Sequence, residues 1–78
     1  MLRPSQCRMA RAALHIGVRE LAQQAGVSAM TVTRFENERT GGTPETQAAI
    51  RIALEASGVI FIDENGGGPG VRLRKAGT

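Results

Sequence analysis

The sequence predicts a mainly α domain: four short helices followed by a C-terminal β-hairpin. Three observations carry this. Apolar residues recur at helical spacing over residues 4–57, and glycines at 17, 26, 41, 42 and 58 divide that stretch into segments of helix length. After Gly58 the pattern changes to a short β-rich run, then a glycine loop, then apolar/basic alternation.

The first helix runs from Ser5 to Leu14, with Pro4 in its first turn and Cys7, Ala10, Ala13 and Leu14 at helical spacing. Gly17 breaks it. The second runs over Val18–Ala25, with Leu21, Ala22 and Ala25 on one face and Gly26 as a stop that accepts a left-handed turn. Ser28 is an N-cap for a third helix reaching about Asn37, whose apolar stripe is Val32 and Phe35. A loop from Glu38 leads to Thr43-Pro44, an N-cap and first helical position, and a fourth helix of about 14 residues carries Ile50, Ala53, Leu54 and Ser57 on one face up to Gly58. Val59–Ile62 reads as a strand, Gly66 to Gly70 as a loop, and Val71 to Arg74 as a second strand, with Ala76 to Thr78 fraying. The helical domain thus spans residues 1–58 and the hairpin 59–75.

A chain of 78 residues buries only roughly 60–65% of its unfolded surface, so one small domain is expected. At 41% hydrophobic and 22% charged it has material for a core and is too apolar to stay disordered. Ten Lys+Arg against seven Asp+Glu give a formal charge of +3, all of the basic residues but Lys75 being arginine, which suits an anionic partner.

One cysteine and one histidine provide neither a disulfide nor a zinc site, so no metal or cofactor is expected and a reducing compartment suits the chain. No apolar run reaches the ~18 residues of a membrane span, and arginines interrupt Met1 to Ala12 where a signal peptide needs an apolar centre. Without Trp or Tyr and with a single His, the acid-base and nucleophilic repertoire is too thin for an enzyme. Gly66 to Gly70 lacks the following lysine, hydroxyl and helix of a phosphate-binding loop. Cys7 reads as a small buried hydrophobe and His15 as a solvated helix end.

Short second and third helices joined by a tight glycine turn form a helix-turn-helix pattern, with Ala22 permitting close crossing and Leu21, Val27, Val32 and Phe35 filling the interior. Arg19-Glu20-Leu21-Ala22-Gln23-Gln24-Ala25-Gly26-Val27-Ser28, then Thr31-Val32-Thr33-Arg34-Phe35-Glu36-Asn37, resembles the helix-turn-helix of phage-repressor-like (Cro/repressor, XRE-type) transcriptional regulators. The resemblance covers roughly Ser5 to Gly58 and leaves the hairpin outside.

That resemblance implies a four-helix repressor-like domain and a bacterial, cytoplasmic, nucleoid-associated regulator that binds double-stranded DNA. By the helical period, Ala29, Met30, Thr33, Arg34 and Asn37 turn outward when Val32 and Phe35 turn inward. The resemblance places Ala29, Met30, Thr33 and Arg34 at base-reading positions, with Arg34 suited to guanine. It places Arg19, Thr31, Asn37, Arg39 and Thr40 against phosphates, aided by the backbone N–H groups that begin the second helix. Val18 and Ala29 depart from the family by replacing commonly polar residues. Arg11 and Glu36 resemble a pair that bridges the first and third helices.

A two-stranded hairpin alone is marginal, so Phe61 and its neighbours are expected to pack on the helices or on a second copy. The preferred version is a homodimer through the hairpin, with Ile60, Phe61, Ile62, Val71 and Leu73 at its interface and a palindromic operator as target. Arg72, Arg74 and Lys75 read equally well as a second phosphate patch or a protective edge. The alternative function is a protein-interaction module, or an antitoxin, that keeps this fold with weak specific readout and has a protein partner.

Overall fold

The structure is a computed structural model that describes residues 2–37 and 42–74. In chain order it contains α1 (Pro4–Leu14), α2 (Val18–Ala25), α3 (Ala29–Asn37), α4 (Pro44–Ala56), β1 (Val59–Ile62) and β2 (Gly70–Leu73). The mainly α fold with a terminal hairpin is therefore as the sequence predicts. The loop expected from Glu38 and the end beyond Arg74 fall outside the described residues.

Local chemistry sets the helix ends. Gly26 lies at φ 71°, and the N–H groups of Gly26 and Val27 reach back to the carbonyls of Gln23 (3.4 Å) and Ala22 (3.0 Å). This is the two-bond closure that a left-handed residue permits, and it turns the chain into α3 within three residues. The first helix stops elsewhere than the glycine pattern predicts. His15 takes the left-handed conformation (φ 58°), with the same paired bonds from His15 and Ile16 to Ala12 and Arg11, whereas Gly17 is an extended N-cap of α2 at φ −89°. His15 is exposed, as expected. Ser28 caps α3, its Oγ accepting the Thr31 N–H at 3.1 Å, and Thr43 caps α4 in the same way through Thr46 at 3.2 Å. The fourth helix has 13 residues. Ser57, expected on its apolar face, lies beyond its last turn, exposed, and donates to Gln24 Oε1 at 3.3 Å.

The core gathers Leu21 and Ala22 from α2, Val32 and Phe35 from α3, Ile50, Ala53 and Leu54 from α4, and Cys7 and Ala10 from α1. Two further members, Leu2 and Val59, close its ends. Such burial is worth about 1.5–3 kcal/mol for each large side chain removed from water.

The hairpin pairs within the chain, antiparallel, in the register Val59↔Leu73, Ile60↔Arg72, Phe61↔Val71 and Ile62↔Gly70. The second strand begins one residue earlier than its alternation indicates. Directly paired residues share a sheet face. Val59, Phe61 and Val71 pack on the helical core, so Ile60, Ile62 and Arg72 occupy the opposite face. Two tethers fix the hairpin to the helices. Gln6, only 2% exposed, donates from Nε2 to the carbonyls of Ile62 and Gly70, both at 3.1 Å, while its Oε1 accepts the Arg3 N–H at 3.0 Å. On the α4 side, the Arg51 guanidinium stands 5.1 Å over the Phe61 ring. The Arg74 N–H closes the hairpin onto the Gly58 carbonyl at 2.6 Å.

Candidate nucleic-acid interface

The third helix has one buried face and one exposed face. Val32, Phe35 and Glu36 are buried against α1, α2 and α4. Met30, Thr33, Arg34 and Asn37 are exposed, and none of them is acidic. Ala29 departs from the expected outward set. It is half-buried and packs on the core, because the short turn holds α2 close to the start of α3.

Glu36 is the anchor that orients this helix. Arg11 grips its carboxylate with two charge-assisted bonds, Nε to Oε2 at 2.7 Å and Nη2 to Oε1 at 2.8 Å, as the expected α1–α3 pair. Cys7 adds a third bond, Sγ to Oε2 at 3.1 Å, and Arg8 donates to the Glu36 backbone carbonyl near the end of α3. Cys7 and Arg11 are one helical turn apart on α1, so both reach the same carboxylate. Burial alone would raise the Glu36 pKa. The hydrogen bonds from Arg11 and Cys7 and the charges of Arg11 and Arg8 outweigh it and hold the carboxyl below its ordinary range. Burial, then the hydrogen bond to Glu36 and its negative charge, push the Cys7 thiol far up, so it stays protonated and unreactive.

The expected phosphate-facing residues divide by position. Arg19 is exposed at the second residue of α2, and Asn37 is exposed at the end of α3. Thr31 is half-buried, its hydroxyl 2.8 Å from Ser28 Oγ. Arg39 and Thr40 lie outside the described residues. The start of α2 is less open to an anion than expected, since Glu20 Oε1 already accepts the Gly17 N–H at 3.2 Å. Among the described residues, Arg19 and Arg34 form no ion pair, whereas Arg11 and Arg51 do.

Sequence reasoning missed Thr43 and Thr46 as neighbours of this face. With Thr31, Arg34, Phe35 and Gly42 they line a shallow groove of about 160 Å³ between α3 and the first turn of α4. Thr43-Pro44 marks the helix start in the sequence, but no local signal says that this start abuts Arg34. Val18 packs on the core, which accounts for an apolar residue there.

The hairpin residues expected at a dimer interface also divide. Phe61 and Val71 are spent on the core of their own chain, Ile60 and Ile62 are half-buried on the other face, and Leu73 remains 46% exposed. No helix among the described residues is long and apolar enough to cross a membrane. No protein-family model matches the chain, and no curated protein matches it at a significant level.

Proposed function

We propose that the chain is a sequence-specific DNA-binding transcriptional regulator that binds a palindromic operator as a homodimer. The observation that supports it best is the outward face of α3, where Met30, Thr33, Arg34 and Asn37 stand in water and none of these four is acidic. A short capped helix with a polar and cationic outer face, set on a buried anchor, suits entry into the major groove. Arg34 suits bidentate donation to guanine, and Arg19, Thr31, Asn37, Arg39 and Thr40 suit the flanking phosphates. The hairpin offers Ile60 and Ile62 on its outer face, and Leu73 at its exposed end on the other, to a second copy, which would double the few contacts that one small module makes.

The test is selection from a random duplex library at two salt concentrations, with the molecular mass of the free protein measured alongside. A palindromic motif, steep salt dependence and a mass of twice 8.2 kDa are expected. Arg34→Ala relaxes the preference at one base pair per half-site, and Arg19→Ala weakens all sequences and lowers the salt slope by about one. Equal effects of both variants on every sequence would contradict the division of roles. One observation favours a second reading, a protein-interaction module or antitoxin: Met30, Ile52 and Leu73 are large apolar side chains 46–66% exposed. Absence of any enriched motif, together with a stable complex to a protein partner, would select it.

A further inference from the structure

Resting on the DNA-binding reading above, we propose that Met30 is a specificity-determining residue that reads a thymine 5-methyl group, with Arg34 reading a guanine about two base steps away. Met30 is 63% exposed on a helix whose other large apolar residues, Val32 and Phe35, are buried. Its side chain carries no strong donor or acceptor, so it takes no part in hydrogen-bonded readout. The major-groove edges of the four bases show one apolar group, the thymine methyl. An unbranched thioether is also the side chain best able to adapt its shape to such a target.

The neighbours leave Met30 and Thr33 as the outward candidates, and Met30 is the longer and has no hydroxyl to turn toward a polar edge. Ala29 is half-buried against the core and too short to reach outward. Thr31 is held by Ser28. Met30 and Arg34 are separated by four residues, so they lie on one face about 6 Å apart along the helix axis. Base pairs are stacked 3.4 Å apart, which places the two contacts about two steps from each other when α3 lies along the groove. Arg34 has no ion-pair partner among the described residues, so its donors are not committed elsewhere in an ion pair.

The experiment uses the full chain and a duplex recovered by selection, in which each thymine is replaced in turn by deoxyuridine and each guanine by 7-deazaguanine. Burying one methyl is worth about fourfold in affinity. One thymine-to-deoxyuridine change per half-site should weaken wild type by that factor and leave Met30→Ala indifferent. One 7-deazaguanine change about two steps away should weaken wild type about tenfold and leave Arg34→Ala indifferent. Both side chains are exposed, so their truncation leaves the core intact, and circular dichroism of the variants is the check that they fold. A recovered motif with no deoxyuridine-sensitive position, or with one that Met30→Ala does not cancel, overturns this inference and leaves the DNA-binding reading standing. Failure to recover any motif overturns both.

Discussion

The joint between α1 and α3 is built from charge, whereas the joint between α1 and the hairpin is built from one neutral amide. At the first, the Glu36 carboxylate, with 6% of its side chain exposed, is shared by Arg11, which keeps 22%, and by the Cys7 thiol. At the second, Gln6 satisfies two strand carbonyls and one backbone N–H without carrying charge. Residues 6 and 7 are adjacent, so α1 serves both joints from neighbouring positions. Removing one member of a buried ion pair strands its partner, whereas removing a neutral amide forfeits hydrogen bonds of smaller individual worth. The helix that carries the proposed reading face is therefore held by the costlier and more pH-dependent joint.

Three variants sharpen or break this contrast. Glu36→Ala has the largest expected effect, about 3 kcal/mol, at the lower end for a broken buried pair because Arg11 keeps partial access to water. Urea unfolding measures it, and a loss below about 1 kcal/mol would class the pair with exposed ones. The same carboxylate sets an acid limb. Its folded pKa is lowered, so its contribution is present above the ordinary carboxylate value and is lost as pH falls through the folded value.

Gln6→Ala should cost about 1–2 kcal/mol. Its signature is local: amide exchange accelerates in Val59–Ile62 and Gly70–Leu73 while α2 and α3 keep their protection. Uniform acceleration through all elements would show that the hairpin is no separate joint. Cys7→Ala is the smallest at neutral pH, about 1 kcal/mol, because a thiol is a weak donor. It acts instead on the alkaline limb. The unfolded thiol ionises near 9.0 while the folded one stays protonated, so wild type loses stability as pH rises above that value and Cys7→Ala does not. Parallel alkaline profiles for the two proteins would rule out the thiol as the cause.

Features made of neighbouring residues were legible in the sequence. Gly26, Ser28 and Thr43 mark their helix ends because caps and left-handed stops are settled within five residues. The exposed positions of Met30, Thr33 and Arg34 followed from the period once Val32 and Phe35 were placed inward. Ala29 did not follow, since its burial depends on how closely α2 approaches, which the period of α3 does not contain. The left-handed His15 was hidden by the nearby Gly17, the residue type that usually takes such a turn. Gln6 was harder still: its partners are backbone carbonyls 56 and 64 positions away, and backbone atoms leave no trace in residue type. The start of β2 at Gly70 likewise reflects pairing with Ile62 across a loop, which the alternation of Val71 to Arg74 alone leaves loose.

The reach of Gln6 orders events during synthesis. Arg11 and Cys7 meet Glu36 after only 25 and 29 further residues, but the Gly70 carbonyl arrives 64 residues after Gln6. At about 5–20 residues per second a nascent chain holds Gln6 for roughly 3–13 s before that last acceptor exists. The charged joint is thus complete in composition while the amide still waits, and the reading helix has its anchor in the chain before the hairpin has been translated.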